Sequence, residues 1–414
     1  MEEASKKSES SLLALIGILA SYIFAYLYTF LATHPISLGR TILVIFSLGF
    51  CISTEIVYRR KKASWESWIW LISLWFIILG IVTQRTTIWG EYSILFSHAY
   101  AVYWLLSRSG IVIARESSIF LPLDIALGFV IFPIKNFFLR LKTLFLIVFG
   151  SLKKSSSLTS KVSVTIALLF SIFLLYTAGS LLASADETFH RLLRSVLDFF
   201  RIENFEQFVL RFLISIPIGA YLYGLIVGIS HESREKWDAV RDQIYKKSSH
   251  LRTIPNKIWI LILSLFILLY LFFFVLQASY LFGAFLQQLP ENFTVAQYAR
   301  QGFFELCAIM ALNFSLLGVI ALSNLLPLRD TKQLKRLTTA LLLQGVIFAG
   351  IAFSKLYLYI QRFGFTPLRL QSTWLTFVLL VGSISALYSL HTGKKSMRLW
   401  ILFSGVSLSL MNLF

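Results

Sequence analysis

The sequence predicts an all-α, polytopic integral membrane protein with about eleven transmembrane helices and a cytoplasmic N-terminus. Three observations carry that expectation. Of 414 residues, 57% are hydrophobic and only 14% charged, against roughly 25% charged in soluble domains. Mean hydropathy is +0.75, and eleven spans of about 21 residues would account for a share of the chain similar to its apolar fraction. Basic residues also alternate in density from one inter-span segment to the next. A soluble enzyme, a fibrous protein and a disordered tail are excluded by this composition.

The expected spans cover about 11–32, 41–57, 66–84, 88–107, 162–184, 207–229, 258–284, 302–326, 337–361, 369–390 and 398–413. The first is read as an uncleaved span, because its apolar run is too long for a signal-peptide core and lacks a small-residue cleavage site. With the N-terminus inside, the cytoplasmic segments hold 28 Lys and Arg and the opposite side holds 8. Basic loops retained in the cytoplasm fix orientation, which explains the net charge of +18 without invoking nucleic acid. Trp65, Trp68, Trp70, Trp89, Trp104, Trp259 and Trp400 stand close to span boundaries, as an interfacial aromatic belt requires.

Residues 108–161 break the pattern. The run from Ile119 to Pro133 is short and interrupted by Pro122 and Asp124, and residues 136–150 set Arg140 and Lys142 among Phe and Leu. A cytoplasmic interfacial helix or helical hairpin is expected there. The chain then divides into an N-terminal four-span bundle at 1–107, the interfacial segment at 108–161 and a seven-span membrane domain at 162–414. Residues 186–206, with Phe189, Leu192, Leu193, Val196 and Leu197 at helical spacing, suggest a helix on the outer face.

Familiar catalytic and metal signatures are absent. Gly393-Lys394-Lys395-Ser396 lacks the earlier glycine of a phosphate-binding loop, and His231-Glu232 has no second histidine at zincin spacing. No His or Cys pair has metal-ligand spacing, so no metal and no cofactor are expected. Cys51 and Cys307 fall in apolar runs and read as buried structural thiols.

Ionisable residues inside spans carry the remaining information. Each costs about 2.5–3.5 kcal/mol at a helix centre on insertion scales, so each calls for a partner or a watery cavity. Arg211, Glu305 and Lys355 lie in the outer halves of spans six, eight and nine, with Glu91 near the outer end of span four and Asp186 at that of span five. Lys355 is the deepest and shares a helix face with Gln344, eleven residues earlier. An outward-facing polar cavity would use Arg211 and Lys355 for an anion and Glu305 or Glu91 for a cation or proton. The competing explanation is ion pairing between helices, with snorkelling towards the interface.

Three segments carry a family resemblance: Ala183-Ser184-Ala185-Asp186-Glu187-Thr188-Phe189, then Tyr298-Ala299-Arg300-Gln301-Gly302-Phe303-Phe304-Glu305-Leu306, then Phe363-Gly364-Phe365-Thr366-Pro367-Leu368-Arg369-Leu370. Over roughly residues 160–400 the chain resembles an uncharacterised family of bacterial multi-pass membrane proteins catalogued as a domain of unknown function. Phe365 and Pro367 depart from the family's usual third segment. The resemblance implies a bacterial cytoplasmic membrane location and no particular activity. It does place Asp186, Arg300, Glu305 and Arg369 on the outer side.

The expected function is that of a transporter or permease with an outward-facing site for a small anionic solute, binding through Arg211, Glu305, Lys355, Arg300, Asp186 and Glu91. Helices interrupted at Pro217-Ile218-Gly219 and between Phe363 and Pro367 suit such a cavity. Two rivals stand beside it. One is a membrane-embedded enzyme acting on a lipid or envelope precursor, with Glu305 or Asp186 as acid or base and Arg300 or Arg211 on a phosphate. The other is a sensory or scaffold protein. The expected partners are the lipid bilayer and, through the basic loops, a cytoplasmic protein; no nucleic acid is expected.

Overall fold

A computed structural model of the protein describes residues 2–31, 36–83, 90, 92–150, 177, 205–286, 294–326, 328–394 and 396–413. Along the chain the helices are α1 (Glu2–Leu31), α2 (Ile36–Tyr58), α3 (Trp65–Thr83), α4 (Tyr92–Ser109), α5 (Leu121–Ala126), α6 (Phe132–Lys135), α7 (Leu139–Gly150) and α8 (Phe205–Ser230). They continue as α9 (Arg234–His250), α10 (Asn256–Leu276), α11 (Ala278–Phe282), α12 (Val295–Ser323), α13 (Lys332–Phe363), α14 (Pro367–Thr392) and α15 (Met397–Met411). A π-helical turn, Leu127–Ile131, links α5 to α6, and a 3-10 turn, Gly283–Leu286, follows α11. Among the described residues there is no strand, only one isolated bridge between Ile254 and Asn324.

Seven described helices are long and apolar enough to cross a membrane: Gly39–Tyr58, Trp65–Thr83, Gln207–Ser230, Asn256–Leu276, Val295–Ser323, Lys332–Phe363 and Pro367–Thr392. The count becomes eight if Leu121–Lys135 and Leu139–Ile147, bent by 42° from one another, form a single broken span. Each of the seven coincides with an expected span. Ala14–Phe30 and Met397–Met411 are shorter apolar helices at the expected first and last spans. The expected fifth span, 162–184, and the outer helix at 186–206 lie outside the described residues. Leu261, Leu265, Leu268 and Phe272 on α10 are all exposed, an apolar stripe of the kind a bilayer covers. The chain is a multi-pass membrane protein.

The chain forms two compact units, Met1–Arg60 with Leu127–His231, and Lys61–Ala126 with Glu232–Phe414. In the first, α1 packs on α2, α7 and α8, and α8 also packs on α2, α6 and α7. Pro217 lies inside α8, yet the helix does not stop at the Pro217-Ile218-Gly219 interruption expected from the sequence. Gly219 serves close packing instead: a Cβ there would run into the Arg140 guanidinium and stand 2.9 Å from the Ser21 carbonyl oxygen. Arg140 is thus buried and not displayed on the polar face of an interfacial helix. Its Nη2 donates to the Ile216 carbonyl at 2.7 Å and its guanidinium lies 3.9 Å from the centre of the Tyr22 ring.

In the second unit α13 is central, packed on α10, α12 and α14. Trp259, Leu263 and Tyr270 of α10, Leu306 and Met310 of α12, and Phe348 of α13 share one buried cluster. The α3–α4 pair joins this unit through α15, which packs on α3 and α14. Asn412 closes that contact, accepting from the Ser93 hydroxyl at 2.7 Å and donating to the Ile77 carbonyl at 2.8 Å.

Local sequence sets the helix ends around the site. Thr294 and Gln297 form a capping box at the start of α12, satisfying amides that would otherwise lack acceptors. Gly364 ends α13 at φ 76°, a left-handed conformation that glycine adopts without strain. Pro367 then starts α14, where its fixed φ and missing N–H cost nothing. Arg369 locks the corner: its Nη1 donates to the Phe363 carbonyl at 2.8 Å and to that of Gly364, and its guanidinium lies 4.1 Å from the Tyr359 ring centre. Arg369→Ala is expected to lower stability by about 1–2 kcal/mol, since charge-assisted hydrogen bonds are lost at a partly exposed site. Thermal unfolding in detergent measures it, and an unchanged melting temperature would show the corner is held by glycine and proline alone.

Outside the spans, Arg115 (φ 64°) reaches α9, its Nε donating to Asp238 Oδ1 at 3.1 Å with a second contact between Nη2 and Oδ2. The hydrogen bond from Arg115 holds the Asp238 carboxyl below its usual 3.8. A carboxylate depressed on folding contributes above its unfolded pKa, and that contribution disappears as pH falls through the folded value. Spin labels at Ser118 and Lys236 should therefore keep one distance from pH 7 down to pH 4 and broaden only in stronger acid. Asp238→Asn should broaden the distance at every pH; a narrow distribution in that variant would mean that other contacts hold α9.

Candidate functional site

The second unit holds a lysine in an unusual setting. Lys355 lies on α13, eight residues before its end, and is 0% exposed. Its Nζ has no hydrogen-bond partner among the described residues. It stands 3.5 Å from the centre of the Tyr280 ring and 4.2 Å from that of Tyr298, so two π faces replace the oxygen acceptors an ammonium normally requires.

Three elements build this enclosure. Gly302 of α12 makes room for the side chain, since a Cβ there would lie 2.5 Å from Lys355 Nζ and 2.7 Å from its Cδ. Tyr298, one turn earlier on α12, is fixed at both ends of its hydroxyl: it donates to the Tyr280 carbonyl at 2.6 Å and accepts from the Ala284 amide at 3.2 Å. Tyr280 of α11 crosses it edge-on with ring centres 5.4 Å apart. Glu305 is exposed on α12; its carboxylate accepts from Gln301 Nε2 at 2.9 Å and from the Tyr280 hydroxyl at 3.4 Å. Tyr280 thus bridges the carboxylate and the ammonium, and Glu305 is near enough to act electrostatically on Lys355.

Deeper polar groups continue along the same helices. Gln344, three turns from Lys355, is buried; its Nε2 donates to the Ile267 carbonyl at 3.3 Å while its Oε1 has no partner. Asn313 of α12 accepts from the Tyr270 hydroxyl at 2.8 Å and leaves its Nδ2 unpartnered. Unpaired buried polar atoms cost about 1–3 kcal/mol each and mark places that water or a ligand would satisfy. A cavity of about 360 Å³ also borders α13, lined by Ser354, Tyr357 and Gln361 with Ala284 and Phe285 opposite. Ala284, whose amide donates to the Tyr298 hydroxyl, lines that cavity as well.

Of the residues singled out by sequence, Glu305 and Lys355 are brought together. Arg300 is exposed in the first turns of α12, and Arg211 belongs to the first unit, its guanidinium 4.0 Å from the Phe30 ring centre. Asp186 and Glu91 lie outside the described residues. Cys307 is buried beside Phe303 and Leu356. Among the described residues no His, Cys, Asp or Glu side chains group as a metal site. Sequence reasoning missed Tyr280, Tyr298 and Gly302, although the latter two sit in the recognisable segment 298–306.

It also missed a second polar centre. Glu66, at the start of α3 and 3% exposed, accepts from the Ser117 amide at 2.7 Å and hydroxyl at 2.8 Å and pairs with Arg398 of α15. Arg398 also reaches Glu116 at 2.6 Å, and Trp70 Nε1 donates to the Ser117 hydroxyl at 3.0 Å. Every charge here is paired, so this centre joins helices, whereas Lys355 retains unused hydrogen-bonding capacity.

Comparison with curated proteins and with solved structures finds no match. A family profile does match, over residues 69–413, extending the likeness well before residue 160 and taking in most of α3, all of α4 and the whole Lys355 site. The chain belongs to this family, DUF4153, a domain of unknown function.

Proposed function

We propose that the protein is a permease of the bacterial cytoplasmic membrane, with an outward-facing site for a small anionic solute centred on Lys355. On this reading the N-terminus would lie in the cytoplasm, which the distribution of basic residues supports. The observation that carries the reading is a fully buried ammonium with no hydrogen-bond acceptor among the described residues. Two desolvated cation–π contacts contribute about 2 kcal/mol each, against the several kcal/mol lost on burying an ion, and supply no oxygen acceptor. A carboxylate or phosphate would supply the missing acceptors. Access would follow a shift of α11 and the 3-10 turn after it, which carry Tyr280 and Ala284. The unpartnered groups of Gln344 and Asn313 would continue the polar path inward, and Glu305 at the mouth would compete with the solute for Lys355.

The second reading, a sensory or scaffold protein, draws on the closure of Lys355 beneath its two rings and its absence from the wall of the 360 Å³ cavity. The test is anion flux into proteoliposomes, with a panel of small carboxylates and phosphates and with Lys355→Gln alongside. Flux of one anion that disappears in the variant supports the permease. No flux of any anion, with the parent folded in the same vesicles, would turn the account to a scaffold.

A further inference from the structure

The first unit contains a different kind of cavity, about 460 Å³, between α1, α2 and α8. Its interior is apolar, with Phe24, Phe46, Phe50 and Tyr223 in its wall. Ile16 and Ile56 also line it and are each 52% exposed, so it opens onto the apolar outer surface where lipid chains lie. At one end it is bordered by Arg59 and Arg60, which follow the last residue of α2. Among the described residues no carboxylate lines it, and neither guanidinium has a hydrogen-bond or ion-pair partner. Small residues keep it open: Gly17 and Ala20 of α1 and Ser53 of α2 all contribute to the wall.

We propose that this cavity is a binding site for one anionic phospholipid of the surrounding bilayer, with an acyl chain in the apolar interior and the phosphate on Arg59 and Arg60. The match is one of shape and charge together. An apolar slot reaching the lipid face accepts a chain whose alternative is the bilayer itself, so the chain confers little selectivity. Selectivity comes from the two arginines, whose planar forks suit phosphate oxygens and which stand where headgroups lie. Basic groups between transmembrane helices recognise anionic headgroups in this way. The site is independent of Lys355, which belongs to the other unit.

Native mass spectrometry of the full chain, released from nanodiscs of equal phosphatidylglycerol and phosphatidylcholine, tests the assignment. The parent should retain one phosphatidylglycerol in about thirtyfold preference, the selectivity expected of two basic residues at the headgroup level. Arg59→Gln with Arg60→Gln should abolish the preference while leaving the melting temperature unchanged, since both side chains are exposed. Ser53→Phe, which fills the slot, should displace the retained lipid even with both arginines present. Lys236→Gln, on exposed α9 of the other unit, should change nothing. Equal retention of the two lipids by the parent, or an undiminished preference in the double arginine variant, would overturn the proposal.

Discussion

Glu66→Ala is expected to destabilise the second unit by about 3–5 kcal/mol, the largest loss predicted for any single residue. The carboxylate is buried at the N-terminal end of α3, where the helix dipole favours a negative charge. It receives two hydrogen bonds from Ser117, at 2.7 and 2.8 Å, and pairs with Arg398. Removing it leaves the Ser117 amide without its acceptor and Arg398 with Glu116 alone. Most of the loss comes from the buried Ser117 amide and hydroxyl left unsatisfied, at about 1–3 kcal/mol each, since Arg398 is 28% exposed and keeps Glu116. Glu66→Gln should recover part of the loss by keeping an acceptor for Ser117. A double-mutant cycle of Glu66 and Arg398 in reversible detergent unfolding should give a coupling of about 1–3 kcal/mol. A loss below about 1 kcal/mol for Glu66→Ala, within the range of exposed ion pairs, would show that water reaches this centre.

Gly302→Val should be nearly as severe, and it should be reversible by a second substitution. The added Cβ would fall within 2.7 Å of both Nζ and Cδ of Lys355, and the branched methyls need further space. Overpacking a filled site costs about 1–3 kcal/mol, and displacing Lys355 from its two rings adds to that. Shortening the neighbour in Gly302→Val with Lys355→Ala should restore most of the lost melting temperature. Failure of that rescue would mean that the helix contact between α12 and α13, and not the lysine, requires the glycine.

The fold was legible in the sequence wherever the signal is local. Hydropathy is read along the chain, and the seven long apolar helices fall at expected spans. Lys355 was visible because a cation in an apolar run stands out. Its surroundings were not, because Tyr280 and Tyr298 come from α11 and α12, and nothing within α13 announces two aromatic faces. Gly302 read only as part of a family segment until its missing side chain proved to be the space that Lys355 occupies. Glu66 gave no signal of its own in the sequence, since its partner Arg398 is 332 residues away. Arg140 misled for a related reason: its neighbours Phe and Leu suggested an amphipathic surface helix, whereas its contacts on α1 and α8 bury it. Helix-breaking residues divided along similar lines. Gly364 and Pro367 make a true corner, while Pro217 and Gly219 lie within a continuous α8.

On the permease reading, Lys355 is held at a cost to stability and retained for a solute. Replacing it with methionine, of similar length and without charge, separates that claim from a structural role. Exchanging a buried charge for an apolar side chain is neutral or stabilising by about 1–4 kcal/mol when the charge is poorly compensated. Lys355→Met should melt at the same temperature as the parent or higher, and anions which raise the parent's melting temperature should leave the variant unmoved. A variant that melts well below the parent would contradict that reading, making the lysine a structural link between Tyr280, Tyr298 and Glu305.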